Sequence, residues 1–199
     1  MRRQNHQCDI VAIGGSAGGL ESLCKLLEAL PANLHAIVLV VLHRPVERDS
    51  RLKEILSRHT ALGVEIAVPP QKFRHGICYI GQPSDHLMVG PGLRAELLED
   101  HFYRGHSIDA LFNSLALHAG SRTIGVVLSG LLKDGAVGLA AIKAAGGKAL
   151  VQSPQEARYG DMPRAAAKFM GIKVDLIGNL DALAAAICGY VQIPRGGPD

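Results

Sequence analysis

The chain has 199 residues, enough for one ordinary globular domain with a full core. With 48% hydrophobic and 20% charged residues, it is not a disordered chain. A formal net charge of +3 on scattered Lys and Arg, with 4% aromatic residues and no Trp, offers neither a basic stripe nor a base-stacking surface for nucleic acid.

Residues 1–8 read as a basic N-terminal tail, and a strand and a glycine turn come after it rather than an uninterrupted apolar segment. Neither a signal peptide nor a membrane anchor is expected, and the chain reads as cytoplasmic. The four cysteines, Cys8, Cys24, Cys78 and Cys188, form no CxxC pair and no metal-ligand spacing, so reduced thiols are expected.

Short β-branched runs then alternate with amphipathic stretches. Strands are predicted over 9–14, 35–42, 64–68, 123–129, 148–152 and 173–177, and helices over 19–29, 50–59, 107–119, 135–145, 162–169 and 179–189. Several strands are apolar at consecutive positions, as strands covered on both faces are. The stretch "GICYIGQPSDHLMVGPGLRAELLE" reads instead as short strands joined by Gly/Pro turns, an antiparallel hairpin excursion. The predicted fold is α/β: a doubly wound, mainly parallel sheet with helices on both faces (Rossmann-like) and that small excursion. The domain spans 9–191, and 192–199 is a C-terminal tail.

Three strand ends carry chemistry. The first runs into "GGSAGG" (14–19), the second into Leu42-His43, and the 123–129 strand into "SGLLKDG". Parallel strands put such ends on one edge of the sheet, where ligands and catalytic groups gather. Ser16, His43 and Asp134 therefore converge. A serine hydroxyl needs an imidazole to take its proton, and the imidazole needs a carboxylate to fix its tautomer. Residues 14–18 also read as G-x-S-x-G, a turn that projects a serine beside backbone N–H groups.

Other readings stand beside this one. The glycine turn can cradle a phosphate, although it lacks G-x-G-x-x-G, a Walker lysine and an acidic residue at the second strand end. It can also be a plain turn. Asp134 before helix 135–145, and Ser107 and Asp109 at the start of 107–119, fit helix caps. His101 and His106 fit surface histidines better than a metal site, since they have no facing ligand pair. Arg44, Arg48, Arg51, Lys53 and Arg58 fit a solvated face.

Six segments, in order, resemble the catalytic domain of the CheB-type chemotaxis protein-glutamate methylesterases, over about Asp9 to Val191. "IVAIGGSAGGLESL" is similar to that family's serine turn and "VLVVLHRP" to its histidine strand. "ICYIGQPSDHLMV" and "GHSIDALFNSLA" resemble its Y-x-A-P hairpin and its P-S-V-D-V-L-F helix start. "GVVLSGLLKDGAVGL" and "VQSPQEARYGDMPRAA" resemble its T-G-M-G-x-D-G-A-x-G and G-M-P segments. The resemblance implies a serine esterase acting on glutamate γ-methyl esters of chemoreceptor signalling helices, with glutamine deamidation as a further activity. It implies Ser16 as nucleophile, His43 as general base, Asp134 as its partner, and the backbone N–H groups of Ala17 and Leu131 as oxyanion donors. It implies no metal or organic cofactor, a shallow site, and a receiver or other regulatory domain outside this chain.

Three departures stand out. Ala17 occupies a position where the family often has Thr, Arg44 one where Met is common, and Leu131-Leu132 replaces Met-Gly. A leucine in place of that glycine is expected to crowd the Asp134 loop if the backbone has positive φ there. If Leu132 holds Asp134 away from His43, a catalytically weakened interaction module is the alternative.

Overall fold

The computed structural model describes residues 9–43, 51–82, 85–99 and 105–191. The readings of Cys8, Arg44, Arg48, His101 and the two tails lie outside them. The first strand, β1 (Ile10–Gly15), is followed by α1 (Gly19–Glu28), β2 (Ile37–Leu42), α2 (Leu52–Leu56), β3 (Gly63–Ile66) and β4 (Ile77–Ile80). Then come β5 (Asp85–Gly90), β6 (Arg94–Glu99), α3 (Ser107–His118), β7 (Thr123–Val127) and α4 (Ala136–Ala144). β8 (Lys148–Gln152), α5 (Asp161–Lys168), β9 (Leu176–Gly178) and α6 (Leu180–Tyr190) complete the order.

Seven strands form one parallel sheet in the order β3-β4-β2-β1-β7-β8-β9, with β5 and β6 as a separate antiparallel pair. Alternate residues of each central strand face opposite cores. Val11, Ile13, Val38 and Val40 pack with Leu23 and Leu27 of α1 and Leu183 and Ile187 of α6. Ile10, Ala12, Ile37 and Leu39 pack with Ile108, Leu111 and Phe112 of α3 and Leu139 and Ile142 of α4. Both faces are dry, so the strands carry continuous apolar runs.

The chain winds from β1 towards β2 on one side and reaches β7 on the other, which makes the β1/β7 boundary the switch point of the sheet. Three local readings are corrected. The helix over 50–59 reduces to the five residues of α2, and Arg51, Lys53 and Arg58 are exposed on it and around it. The strand over 173–177 shifts to Leu176–Gly178, because the Asp175 carboxylate takes the Ala149 N–H at 2.8 Å and the Lys143 ammonium at 2.7 Å. "ICYI" is β4 of the parallel sheet rather than part of the hairpin. No helix joins β3 to it: the connection runs extended against β6, with Phe73 N–H donating to Leu93 at 3.0 Å and Ala95 N–H to Gln71 at 2.8 Å.

Cys24, Cys78 and Cys188 are free thiols. Burial pushes Cys78 up to about 12, which keeps it an unreactive thiol.

Candidate active site

The sheet register places Ser16 before any side chain is considered. Gly15 pairs with Leu42 and Gly14 with Val127, so one residue further Ser16 lies between His43 and the strand end at Ser129. Backbone bonds continue both ladders there: His43 N–H donates to Gly15 at 3.1 Å and Ser16 N–H to Ser129 at 3.0 Å.

The turn after Ser16 closes through Gly19 N–H donating to the Ser16 carbonyl at 2.8 Å, with Gly18 at φ 69°, ψ −5°. That is the third position of a type II turn, where glycine avoids the left-handed penalty. The N–H groups of Ser16 and Gly19 are consumed inside the fold, which weakens the turn as a phosphate cradle. Those of Ala17 and Leu131 make no hydrogen bond to a described residue. Ser16 is half-buried, and its Oγ has no hydrogen-bond partner among the described residues.

His43 Nε2 lies 2.8 Å from Asp134 Oδ2. A carboxylate only accepts, so Nε2 carries the proton and Nδ1 keeps a lone pair as the basic atom. Asp134 is almost wholly buried and its other bonds are all to backbone: Ile108 N–H at 2.9 Å, Asp109 N–H at 2.9 Å and Gly135 N–H at 2.8 Å. The carboxylate has no freedom to turn away.

These bonds correct the capping expectation. Asp134 does not simply cap α4; it takes two free N–H groups in the first turn of α3. Asp109, in that first turn of α3, accepts the Gly138 N–H of α4 at 2.7 Å. Two helix starts are thus capped in trans by each other's aspartates, where sequence spacing suggested local caps. The exchange locks α3 to the loop that carries Asp134.

Burial, with Asp134 also nearby, pushes the Asp109 carboxyl above the usual range. Its protonated form is therefore favoured by folding, and that contribution is lost as pH rises from near 4 through the raised value. Asp109→Asn keeps the acceptor for Gly138 but does not titrate. The stability of Asp109→Asn relative to the unmodified chain is expected to rise between pH 4 and pH 7.5 in urea unfolding.

His106 Nδ1 is 3.6 Å from Asp109 Oδ2, and His106, Asp109 and Asp134 could be taken for ion ligands. Both Asp134 oxygens already hold N–H donors, so this cluster fits a hydrogen-bonded brace better than a metal site.

The other wall comes from the segment after β8. Ser129 N–H donates to Gln152 Oε1 at 2.9 Å, and Ser129 Oγ donates to the Ala17 carbonyl at 2.9 Å while accepting Tyr159 N–H at 3.0 Å. Gly130 exchanges backbone bonds with Tyr159 and Met162, both 3.0 Å. A Cβ on Gly130 would lie 3.0 Å from Ser16 Cβ. Ser129 and Gln152 were not singled out as site residues from sequence; their signal was position, Ser129 at the strand end that leads to Asp134 and Gln152 at the end of β8.

Leu132 does take positive φ, 64°, but it is 82% exposed and points away from the brace. Asp134 stays on His43, so the expected crowding does not occur. A left-handed leucine costs about 1–2 kcal/mol. Leu132→Gly is expected to stabilise the chain by about 0.5–1 kcal/mol after the entropy of glycine is counted, read as a raised Tm.

Gly14 is the tightest approach behind the site: a Cβ there would sit 2.3 Å from Ile108 Cγ2, and Ile108 is fully buried. Gly14→Ala is expected to cost about 1–3 kcal/mol by overpacking. It should also displace the Ile108 N–H from Asp134, visible as lost activity below the unfolding temperature.

A doubly wound sheet with a serine on a tight turn, beside an imidazole held by a buried carboxylate, has the side-chain set that serine hydrolases use. The chain belongs to the CheB methylesterase family, whose model matches residues 11–187. It is 38% identical over 184 residues to a protein-glutamate methylesterase/protein-glutamine glutaminase of Geobacillus kaustophilus (strain HTA426), covering 89% of this chain and 52% of that protein. It is 37% identical over 164 residues to a protein of the same name, numbered 2, from Shewanella sp. (strain MR-4), covering 80% and 46%. The chain therefore spans about half the length of the curated relatives it matches. Its fold is similar to the crystal structure of the Thermotoga maritima CheB methylesterase catalytic domain, with TM-score 0.82 and 25% identity over 92% of this chain and 99% of that one.

Proposed function

We propose that this chain is a serine esterase that hydrolyses glutamate γ-methyl esters on chemoreceptor-type signalling proteins in the cytoplasm. The observation that carries the reading is the 2.8 Å bond from His43 to a buried Asp134, at a strand end in register with Ser16. Ser16 Oγ attacks the γ-carbonyl carbon as His43 Nδ1 takes its proton. The Ala17 and Leu131 N–H groups face the oxyanion of the tetrahedral intermediate. Collapse expels methanol, which leaves with the proton from His43. Water, deprotonated by His43, then attacks the acyl-enzyme and releases glutamate and Ser16.

The same steps on a glutamine side chain expel ammonia, so deamidation is a second activity of one site. No step calls for a metal or organic cofactor. Regulation falls to a receiver or other domain outside this chain. Among the described residues no helix is long and apolar enough to cross a membrane.

Leu132 does not part Asp134 from His43, and their 2.8 Å bond supports the esterase reading over an interaction module. Methanol release from a helical peptide carrying γ-methyl glutamate tests the reading. Turnover that disappears in His43→Ala is expected. Equal release by the two proteins would overturn it, as would tight, specific nucleotide binding with no release.

A further inference from the structure

Among the described residues two non-glycine side chains sit on left-handed backbone, Leu93 at φ 57° and Leu132 at φ 64°. Leu93 is partly buried against the core beneath the β5–β6 hairpin. Leu132 has no such return. It is the most exposed large apolar side chain among the described residues, on a backbone conformation that glycine adopts without strain. Within the folded chain this leucine is unfavourable twice, in backbone strain and in exposed apolar area. Strain kept at a site edge is explained when a ligand contact depends on it.

Its place in the chain says which ligand. Gly130 is in contact distance of Ser16. Consecutive Cα atoms are about 3.8 Å apart, so Leu132 lies within about 7.6 Å of Gly130 along the chain. One α-helical turn rises about 5.4 Å, and side chains three or four residues apart share a face. A helix that presents a glutamate ester to Ser16 therefore brings the neighbouring turn of the same face alongside Leu132. Leu131 beside it, and Tyr159, whose carbonyl accepts the Gly130 N–H, add partly exposed apolar surface to this rim.

We propose that Leu132 is a specificity-determining contact: it packs against an apolar side chain one helical turn from the esterified glutamate of a substrate helix. The inference rests on the esterase reading and goes beyond it, since it selects substrates by the residue at i±3 or i±4. The occupant is an amphipathic helix of the substrate protein.

Leu132→Asn separates this role from folding, because Asn tolerates left-handed φ and removes only the apolar side chain. The variant should be at least as stable as the parent. Two helical peptides with one γ-methyl glutamate, carrying Leu or Gln at the flanking i±3 and i±4 positions, are compared with a short γ-methyl glutamate ester. In Leu132→Asn, KM for the Leu-flanked peptide should rise about tenfold, equivalent to ~1.4 kcal/mol. Its kcat, the Gln-flanked peptide and the short ester should be unchanged. The same tenfold loss should appear in binding of the Leu-flanked peptide to a Ser16→Ala background, a readout independent of turnover. An unchanged KM and affinity for the Leu-flanked peptide, an equal loss for both peptides, or a loss on the short ester would each overturn the proposal. Hydrolysis of none of the esters by the parent, with Leu132-dependent binding intact, would sink the esterase reading and leave the docking contact standing.

Discussion

Ser16→Ala is expected to lower kcat on a γ-methyl glutamate substrate by roughly 10⁶-fold, the scale seen when a triad nucleophile is removed. The size of the loss comes from covalent chemistry: without Oγ there is no acyl-enzyme, and only binding and oxyanion contacts remain. The fold should be indifferent. Ser16 Oγ has no hydrogen-bond partner among the described residues, so its loss leaves no buried donor unsatisfied. A stability change within about 0.5 kcal/mol is expected. A fall of kcat with intact urea unfolding is the signature, and a Ser16→Ala chain with most of its turnover would contradict the mechanism.

Asp134→Asn should strike activity and stability together. The carboxylate accepts from three backbone N–H groups and from His43 Nε2. An amide has one acceptor oxygen, and its NH₂ must face either the imidazole together with the Ile108 N–H, or the Asp109 and Gly135 N–H groups. Facing the imidazole, it forces the wrong tautomer, which is expected to cost about 10⁴ in kcat. Facing the N–H groups, it leaves donors unsatisfied at about 1–3 kcal/mol each. Together we expect a loss of about 2–4 kcal/mol in unfolding free energy. His43→Ala is the control: His43 is more exposed and its removal should abolish turnover with a much smaller stability change. The double variant Ser16→Ala, Asp134→Asn should turn over no more slowly than Ser16→Ala alone, because the residues act as a unit. Equal stability losses for His43→Ala and Asp134→Asn would show that the backbone brace is not what holds Asp134.

Which residues meet was legible because strand ends are legible. "DIVAIG", "HAIVLVVL" and "TIGVVLS" announce buried parallel strands by their unbroken apolar runs, and parallel strands deliver the residues just past their ends to a single edge of the sheet. That placed His43 against Asp134 and set the Ser16 backbone beside the His43 strand end. What supports them was not legible. The caps between Asp134 and α3, and between Asp109 and α4, join residues 25 and 29 positions apart, beyond any local spacing rule.

The hairpin region failed for a related reason. The stretch from Gly76 to Glu99 looked antiparallel throughout because no helix separates its strands, yet its first strand joins the parallel sheet and only β5 and β6 form the hairpin. Leu132 marks the limit of reasoning by departure. The substitution does create left-handed leucine backbone, as the replaced glycine suggested, yet the side chain turns to solvent and the aspartate keeps its place.

The central claim is that Ser16 is the residue acylated. An active-site fluorophosphonate, reacted with the intact chain and located by peptide mass spectrometry, tests it most directly. The account predicts one adduct, on Ser16, formed at a rate that collapses in His43→Ala and absent in Ser16→Ala. An adduct on another residue, or undiminished labelling of Ser16→Ala, would contradict it.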